Sequence, residues 1–429
     1  MFNYIFSIKG MNDILPNKIF VWLYVENIIR KLMISYGYCE IRIPILEKTV
    51  LYKRLIGDFT DVIQKEMYSF EDIDKNSTFL SLSPEGTVGC VRAMIENGLI
   101  YNKKHQKIWY IGPMFRRENT QKGRYRQFYQ FGVEAFGIGN NEIDIEQILI
   151  IKNLLIMLNI QNKVKLYINC IGSLYIRMLY KDFLFIYFFK YVSFFTNEEK
   201  IKLLNNPIRM LDSKNMKLKI IIKNSPKILN FINSYAKNNF FLFLQKLNDL
   251  NVEFVINENL VRGLDYYNDI VYEWVLNNNR SQNSLCGGGR YDNLVKQFGF
   301  KNIPSVGFGV GLERLIMLYN ENYNFIANKF FLSVFFVSVD EKARFFKIKI
   351  AELIRLLYPN IFLFVCYDVE AYIKQRKTLC DNYFSLIFVI SDDNLKKYNI
   401  NVKFLQSQNF NKIVSIDNLD VLWSYFNAV

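Results

Sequence analysis

The stretch WYIGPMFRRENTQKGRYRQFYQFGVEAF, residues 109–136, reads as two strands joined by a charged connector. Residues 109–116 and 128–136 both alternate, and successive side chains on a strand point to opposite faces. In the second strand Phe128, Gln130, Gly132, Glu134 and Phe136 share one face, while Tyr129, Phe131, Val133 and Ala135 share the other. The second set is apolar and must face a core. The first sets an amide and a carboxylate beside two rings and a gap at Gly132. A buried carboxylate needs a partner, because an unpaired buried charge is costly. A cationic or amine-bearing ligand would serve, and so would an internal pair with Arg116 or another strand residue. In the first strand Tyr110, Gly112, Met114 and Arg116 fall on one face. The connector then carries Arg116, Arg117, Lys122, Arg124 and Arg126 against the single carboxylate of Glu118. Arginine outweighs lysine here in an otherwise lysine-rich chain. That favours planar, bidentate recognition of phosphate or carboxylate over a merely solvated charge run.

Outward from the hairpin, residues 17–36 predict an amphipathic helix, with Trp22, Val25, Ile29, Leu32 and Tyr36 on one face and Gly37 as its stop. Residues 38–45 alternate like an edge strand that carries Pro44. Residues 80–87 read as a strand running into a turn, followed by a helix near 88–99. From about 162 to 253 helical periodicity dominates, which predicts a helical insertion. Strand patterns resume over 261–276, then comes a glycine turn at 287–289. A second glycine cluster, 307–311, leads into an apolar helix at 312–319. Beyond about 327 strands (332–339, 361–367, 385–390) alternate with helical stretches (341–357, 369–382), the order of a small α/β domain.

The 429 residues are 51% hydrophobic and 22% charged, a globular balance that excludes wholesale disorder. At about 100–200 residues per domain, two to four domains are expected. The net charge of +14 suits a polyanionic partner, although an AT-rich codon bias toward lysine would also produce it. The cysteines, at 39, 90, 170, 286, 366 and 380, form no CxxC pair, and His105 is the single histidine. Those facts argue against a Cys/His zinc site and against a histidine-dependent nucleophile. The most apolar run, 183–189, is far short of the roughly 20 residues of a membrane span. Met1–Gly10 is mixed and interrupted by Lys9, with no secretory signal evident, so a cytoplasmic protein without membrane association is expected.

No GxxxxGK[ST] loop occurs. Gly307-Phe308-Gly309-Val310-Gly311 precedes Glu313 and Arg314 in the first turn of a helix. The glycines would let backbone approach a ligand or would serve packing alone, and an anion is favoured at such a helix start. Arg262-Gly263 with Tyr266 and Tyr267 suggests a cation presented at a bend. Three separated arginines, Arg116, Arg262 and Arg314, are a kit for handling a triphosphate by electrostatics.

These residues resemble class II aminoacyl-tRNA synthetases, and within them the histidyl-tRNA synthetase family. The region around 36–44 is similar to the first, dimer-forming motif, residues 112–128 to the second, and residues 306–314 to the third. Residues 260–267 and 286–292 resemble stretches peculiar to the histidine enzymes, as does 207–214 within the insertion. The resemblance implies an α+β catalytic core, an antiparallel sheet flanked by helices, over residues 1–325, with a helical insertion at about 162–255. Residues 330–429 would be a C-terminal α/β anticodon-binding domain. It further implies a homodimer that joins L-histidine to tRNA(His) through a histidyl-adenylate, using ATP with Mg²⁺ and no prosthetic group. By the same resemblance, Arg116, Arg262 and Arg314 are the catalytic cations. Glu85, Gly86, Thr87, Gln130, Glu134, Arg262, Tyr266, Tyr267 and Tyr291 bind histidine. Arg116, Glu118, Phe128 and Arg314 bind ATP, and Gln121 and Arg124 meet the tRNA acceptor end. Asn119-Thr120 departs from the Arg-Pro common in bacterial relatives. An alternative of another class is a non-catalytic histidine-sensing subunit on the same core.

Overall fold

The computed structural model describes residues 4–57, 60–73, 78–102, 105–213, 215–277, 284–321, 333–359, 361–367, 386–404 and 411–418. The chain divides into two compact units, one of residues 1–13 and 25–322 and one of residues 14–24 and 323–429. Among the described residues no helix is long and apolar enough to cross a membrane.

The first unit carries strands β1 (Cys39–Glu40), β2 (Leu46–Lys48), β3 (Ser69–Glu71), β4 (Phe79–Leu82), β5 (Gln106–Phe115), β6 (Gln127–Phe136), β7 (Val164–Cys170), β8 (Val255–Ile256), β9 (Asn268–Leu276), β10 (Ser284–Arg290) and β11 (Ser305–Gly311). Eight of them form one sheet in the order β1-β5-β6-β11-β10-β9-β7-β8, and β2-β4-β3 form a small second sheet. The expected antiparallel sheet holds from β5 to β7, while β1 and β8 join its two edges in parallel. One face of this sheet is aromatic: Trp109, Phe131 and Phe308 meet edge to face. The helix Glu142–Met157 belongs to this side. Its Gln147 takes the Tyr272 hydroxyl at 3.3 Å and donates to the Val306 carbonyl at 3.0 Å.

The helix expected near the N-terminus spans Pro16–Ser35, and Gly37 follows it with φ +73°, a left-handed conformation that stops the helix without strain. The strand expected over 38–45 shrinks to Cys39–Glu40, after which the Ile41 amide makes one more bond, to the Trp109 carbonyl at 2.8 Å. The helical insertion begins after Cys170 rather than at 162. Val164, Leu166 and Ile168 point inward and Lys165 outward, so this segment is β7 of the main sheet. The helices Leu174–Phe189, Asn197–Asn205 and Lys219–Lys223 then pack Tyr180, Leu184, Phe188, Leu203 and Ile222 together, followed by Ser234–Asp249.

In the second unit β12 (Ser333–Ser338), β13 (Phe362–Val365), β14 (Leu386–Ile390), β15 (Asn399–Phe404) and β16 (Asn411–Ser415) form a sheet ordered β13-β12-β14-β15-β16. The helix Glu341–Leu357 packs Ala343, Ile350, Ala351 and Ile354 against Val334, Phe336 and Phe388. The sequence reading did not anticipate β15 and β16, although Ile400 and Val402 alternate inward there. The helix expected over 369–382 lies outside the described residues, as do Lys214, Leu332, Cys380 and Ser385.

Candidate active site

The face of the sheet opposite the aromatic one is built on glycine. Across β5, β6, β11, β10 and β9, one row of paired residues reads Tyr110, Gly132, Gly309, Gly287 and Glu273. The next row sets Glu134 against Gly307. A methyl group on any of these glycines would collide with a neighbour that lies flat over the sheet. On Gly287 it would meet the Arg262 guanidinium, on Gly307 the Glu134 carboxylate, on Gly309 the Gln130 amide, and on Gly132 the Tyr110 ring. The glycine clusters therefore make room for functional side chains. This corrects one expectation: Gly287-Gly288-Gly289 lies within β10 and is no turn. Gly307 and Gly309 seat protein side chains, and Gly309 with Gly311 also lines the cavity over the sheet. Only Gly311 leaves open space before the helix Leu312–Asn320.

Above this face lies a cavity of about 500 Å³. Of the residues singled out from the sequence, Glu85, Thr87, Arg116, Glu118, Arg124, Phe128, Gln130, Arg262, Tyr266, Tyr267 and Arg314 line it. Glu134 and Tyr291 sit one layer deeper, and both are buried. The Tyr291 hydroxyl donates to Glu134, and Thr87 Oγ1 donates to it at 2.7 Å. Burial raises Glu134 from its usual 4.5 to about 8, against the opposing pull of the two hydroxyl donors. Its partners are thus hydroxyls and not Arg116, which answers the question left open by the strand pattern. Glu85 accepts from the Thr87 and Val88 amides at 3.1 and 2.8 Å, which caps the helix Thr87–Glu96. It also accepts the Tyr266 hydroxyl at 3.2 Å, and burial raises its pKa. Gly86 stays out of the cavity. Its missing Cβ makes room for the Tyr110 ring.

Three guanidinium groups converge here from distant parts of the chain. Arg116 donates to the Pro84 carbonyl at 2.8 Å and stands 5.5 Å over the Phe128 ring. Arg262 reaches Glu273 at 3.3 Å and faces the Tyr267 ring at 5.7 Å. Arg314 donates to the Gly123 carbonyl at 2.8 Å and to that of Ser284. Burial, and then the charge of Arg116, lower the pKa of Arg314. Arg124 is lowered by burial and by Arg314 and Arg116, with Glu66 opposing. Cations that crowd one another in this way favour an anion between them. Arg124 is held by Glu118, so these two residues meet each other across the connector. Gln121 pairs with Arg124 through the backbone in a tight turn and is exposed, outside the cavity. Of the buried polar atoms that have no hydrogen-bond partner among the described residues, Gln130 Oε1, Arg262 Nε and Tyr110 Oη belong to this face.

Some features escaped the sequence reading. Residues 260–267 form an irregular loop and β9 starts only at Asn268, so Arg262, Tyr266 and Tyr267 are loop residues. Glu273 lines the cavity beside Arg262. It was detectable as a carboxylate sharing one face of the alternating strand 268–276 with Val271 and Val275. Glu313 takes the Tyr129 amide at 2.8 Å, and burial raises it to about 7. It fills the helix start where an anion was expected. His105 is exposed and does not line the cavity, and the five described cysteines are free.

The family model described as histidyl-tRNA synthetase matches residues 10–175 and 235–315. The chain belongs to the histidyl-tRNA synthetase family. Among its relatives is the histidine–tRNA ligase of Buchnera aphidicola subsp. Schizaphis graminum (strain Sg), 43% identical over 391 residues, 91% of either chain. That of Blochmanniella floridana is 41% identical over 404 residues, 94% of this chain and 93% of the relative. The crystal structure of apo S. aureus histidyl-tRNA synthetase superposes with a TM-score of 0.76 at 30% identity, covering 99% of this chain and all of that one. The Gly10 carbonyl accepts the Arg126 and Gln127 amides at 2.7 and 3.2 Å, tying the N-terminal segment to the second strand of the hairpin.

Proposed function

We propose that the protein ligates L-histidine to tRNA(His) in two steps at the glycine-floored cavity. The histidine carboxylate attacks the α-phosphorus of ATP, giving histidyl-adenylate and pyrophosphate. A hydroxyl at the tRNA 3′ end then attacks the acyl carbon and releases AMP. The observation that carries this reading is the convergence of Arg116, Arg262 and Arg314 on one cavity, beside an acidic, tyrosine-lined recess.

In this reading Arg116 and Arg262 hold the substrate carboxylate and α-phosphate, where negative charge gathers in the transition state. Arg314 takes the γ-phosphate and one face of adenine, Phe128 takes the other, and Glu118 completes the nucleotide site. Glu85, Thr87 and Gln130 receive the α-amino group, and the orphaned Gln130 Oε1 is a free acceptor for it. Glu134 and Tyr267 address the imidazole, with Tyr266 and Tyr291 closing the recess. Gln121 and Arg124 serve the acceptor end, and Arg124 must then exchange its hold on Glu118. Among the described residues no group of three or more His, Cys, Asp or Glu is placed to hold a metal. Magnesium belongs to this proposal as the companion of the ATP substrate. A homodimer acting in the cytoplasm, a catalytic core over 1–325 and an anticodon-binding domain over 330–429 belong to the same proposal. The regulatory alternative is not favoured: all three arginines are present, and the curated relatives named above are ligases.

The test is histidine-dependent exchange of labelled pyrophosphate into ATP by the purified full chain, followed by charging of tRNA(His). Exchange is expected with histidine alone among the amino acids and is expected to vanish in Arg262→Ala. Wild-type protein that supports no exchange would overturn the proposal.

A further inference from the structure

The loop 260–267 presents two different sides. Arg262, Tyr266 and Tyr267 turn their side chains toward the 500 Å³ cavity. Its backbone carbonyls turn the other way, toward the helical insertion. From the helix Leu174–Phe189, Arg177 donates through one nitrogen to the Asp265 carbonyl at 2.9 Å and to the Tyr267 carbonyl at 2.6 Å. Its second terminal nitrogen lies 3.9 Å from the Asp265 carboxylate, and the side chain is only 14% exposed. Arg209 donates to the Gly263 carbonyl at 3.0 Å while pairing with Asp61 at 3.1 Å. Asn206 donates to the Asp265 carboxylate at 3.4 Å. A cavity of about 20 Å³, the room of a single water, is lined jointly by these groups and the loop, and Arg262 borders it as well as the large cavity.

Carbonyls of a surface loop are ordinarily satisfied by water. Here they take guanidinium groups from a distant part of the chain, and burying such a cation carries a desolvation cost. What that arrangement achieves is definition of the loop backbone. Its other backbone anchors lie before the bend and at Asp265: Asn169 holds the Glu258 and Leu260 carbonyls, and the Asp265 amide meets Ile56. Glu273 and Glu85 hold the Arg262 and Tyr266 side chains at their tips, so the carbonyls of Gly263, Asp265 and Tyr267 are fixed by Arg177 and Arg209.

We propose that Arg177, assisted by Arg209, is a positioning residue for the histidine pocket, holding Arg262 and Tyr267 in register from behind through the carbonyls of their loop. The inference rests on the reading of the cavity as a histidine-activating site and adds to it a role for the insertion. Misplacement of reacting groups by about 1 Å costs up to about a hundredfold, so the effect falls on histidine handling first. ATP, held chiefly by Arg116, Phe128 and Arg314 in that reading, is less affected.

The experiment is steady-state pyrophosphate exchange by the full chain, with histidine affinity also read by calorimetric titration. Arg177→Ala is expected to raise the histidine KM about tenfold or more and to leave the ATP KM within about twofold. Arg177→Lys, whose ammonium can still donate to both carbonyls, is expected to recover most of the loss. A histidine KM and Kd unchanged in Arg177→Ala would overturn the inference, as would histidine and ATP KM rising together, the mark of general destabilisation. If Arg177→Ala does not fold, Arg209→Ala decides: a rise of a few fold in histidine KM alone supports the inference, and no change overturns it. Failure of the parent reading is distinct. There the wild type itself shows neither exchange nor histidine binding, whereas exchange lost in Arg262→Ala but normal in Arg177→Ala sinks only the positioning role.

Discussion

On one face of the eight-stranded sheet, Val133, Phe308, Gly288 and Tyr272 pair across four strands, and their rings and methyls fill the space up to the helix Glu142–Met157. One residue further along each strand, on the opposite face, the row is Gly132, Gly309, Gly287 and Glu273. The two faces share a backbone and differ in what occupies the volume above it. The aromatic face is closed, and its charges are matched: Asp144 of the covering helix pairs with Arg290, and the burial that lifts Asp144 to about 6 is opposed by that guanidinium. The glycine face is left incomplete. Its acid, Glu134, meets only hydroxyls and rises to about 8, its arginines crowd one another, and three buried polar atoms lack partners, against Trp274 Nε1 alone on the described part of the aromatic face. A sheet can thus carry stability on one face and binding on the other, because alternation decouples the two sets of side chains.

That separation can be broken from either side. Phe308→Ala removes a buried ring packed 5.7 Å from Phe131 and is expected to cost about 3–5 kcal/mol of stability in denaturant unfolding. Exchange activity per folded molecule should remain at the wild-type level. A large loss of activity in the folded fraction would mean that the faces are coupled. Gly287→Ala acts from the other side. Its methyl would displace the end of the flexible Arg262 side chain rather than backbone, so kcat/KM for histidine should fall about a hundredfold. The melting temperature should hold near wild type, and a melting temperature that falls with activity would place Gly287 in the stability ledger of the fold instead.

The sequence disclosed the glycine face only in part. The hairpin over 109–136 was legible because period-two alternation is local, and with it the shared face of Phe128, Gln130 and Glu134. The helix starts after Gly86 and Gly311 were legible for the same reason. What the glycines are for was not. That Gly307 accommodates Glu134 and Gly287 accommodates Arg262 depends on which strands lie side by side, and no local pattern carries that register. Likewise, the pattern of residues 260–267 resembles strand, since Leu260, Val261 and two tyrosines are apolar or aromatic. The backbone leaves the sheet because its carbonyls are taken by Arg177 and Arg209. Segments such as β7 were masked by the apolar richness of the whole chain, which makes strand and helix patterns look alike.

The smallest effect is also the most specific to the difference between the faces. Between Glu134's ordinary value of 4.5 and its folded value of about 8, the folded chain holds a proton here that the unfolded chain has released. Stability contributed by this group is therefore present at low pH and is lost as pH rises through that window. Asp144, raised only from 3.8 to about 6, has finished its own loss by then, and Glu313, raised to about 7, has largely done so. Burial raises Glu85 as well, so the signature of Glu134 is the part of the decline in melting temperature from pH 7 to above pH 8 that disappears when Glu134 alone is changed. Glu134→Gln keeps the shape of the protonated form and cannot titrate, so its melting temperature should stay flatter over that range. Bound histidine should flatten the wild type in the same way, because an imidazole N–H facing the carboxylate stabilises its charged form. The corollary is that histidine affinity strengthens as pH rises toward 8 in the wild type and does not in Glu134→Gln. Equal pH slopes in the two proteins would show that the unpaired acid is not what sets the two faces apart, and would leave the crowded arginines as the only electrostatic distinction between them.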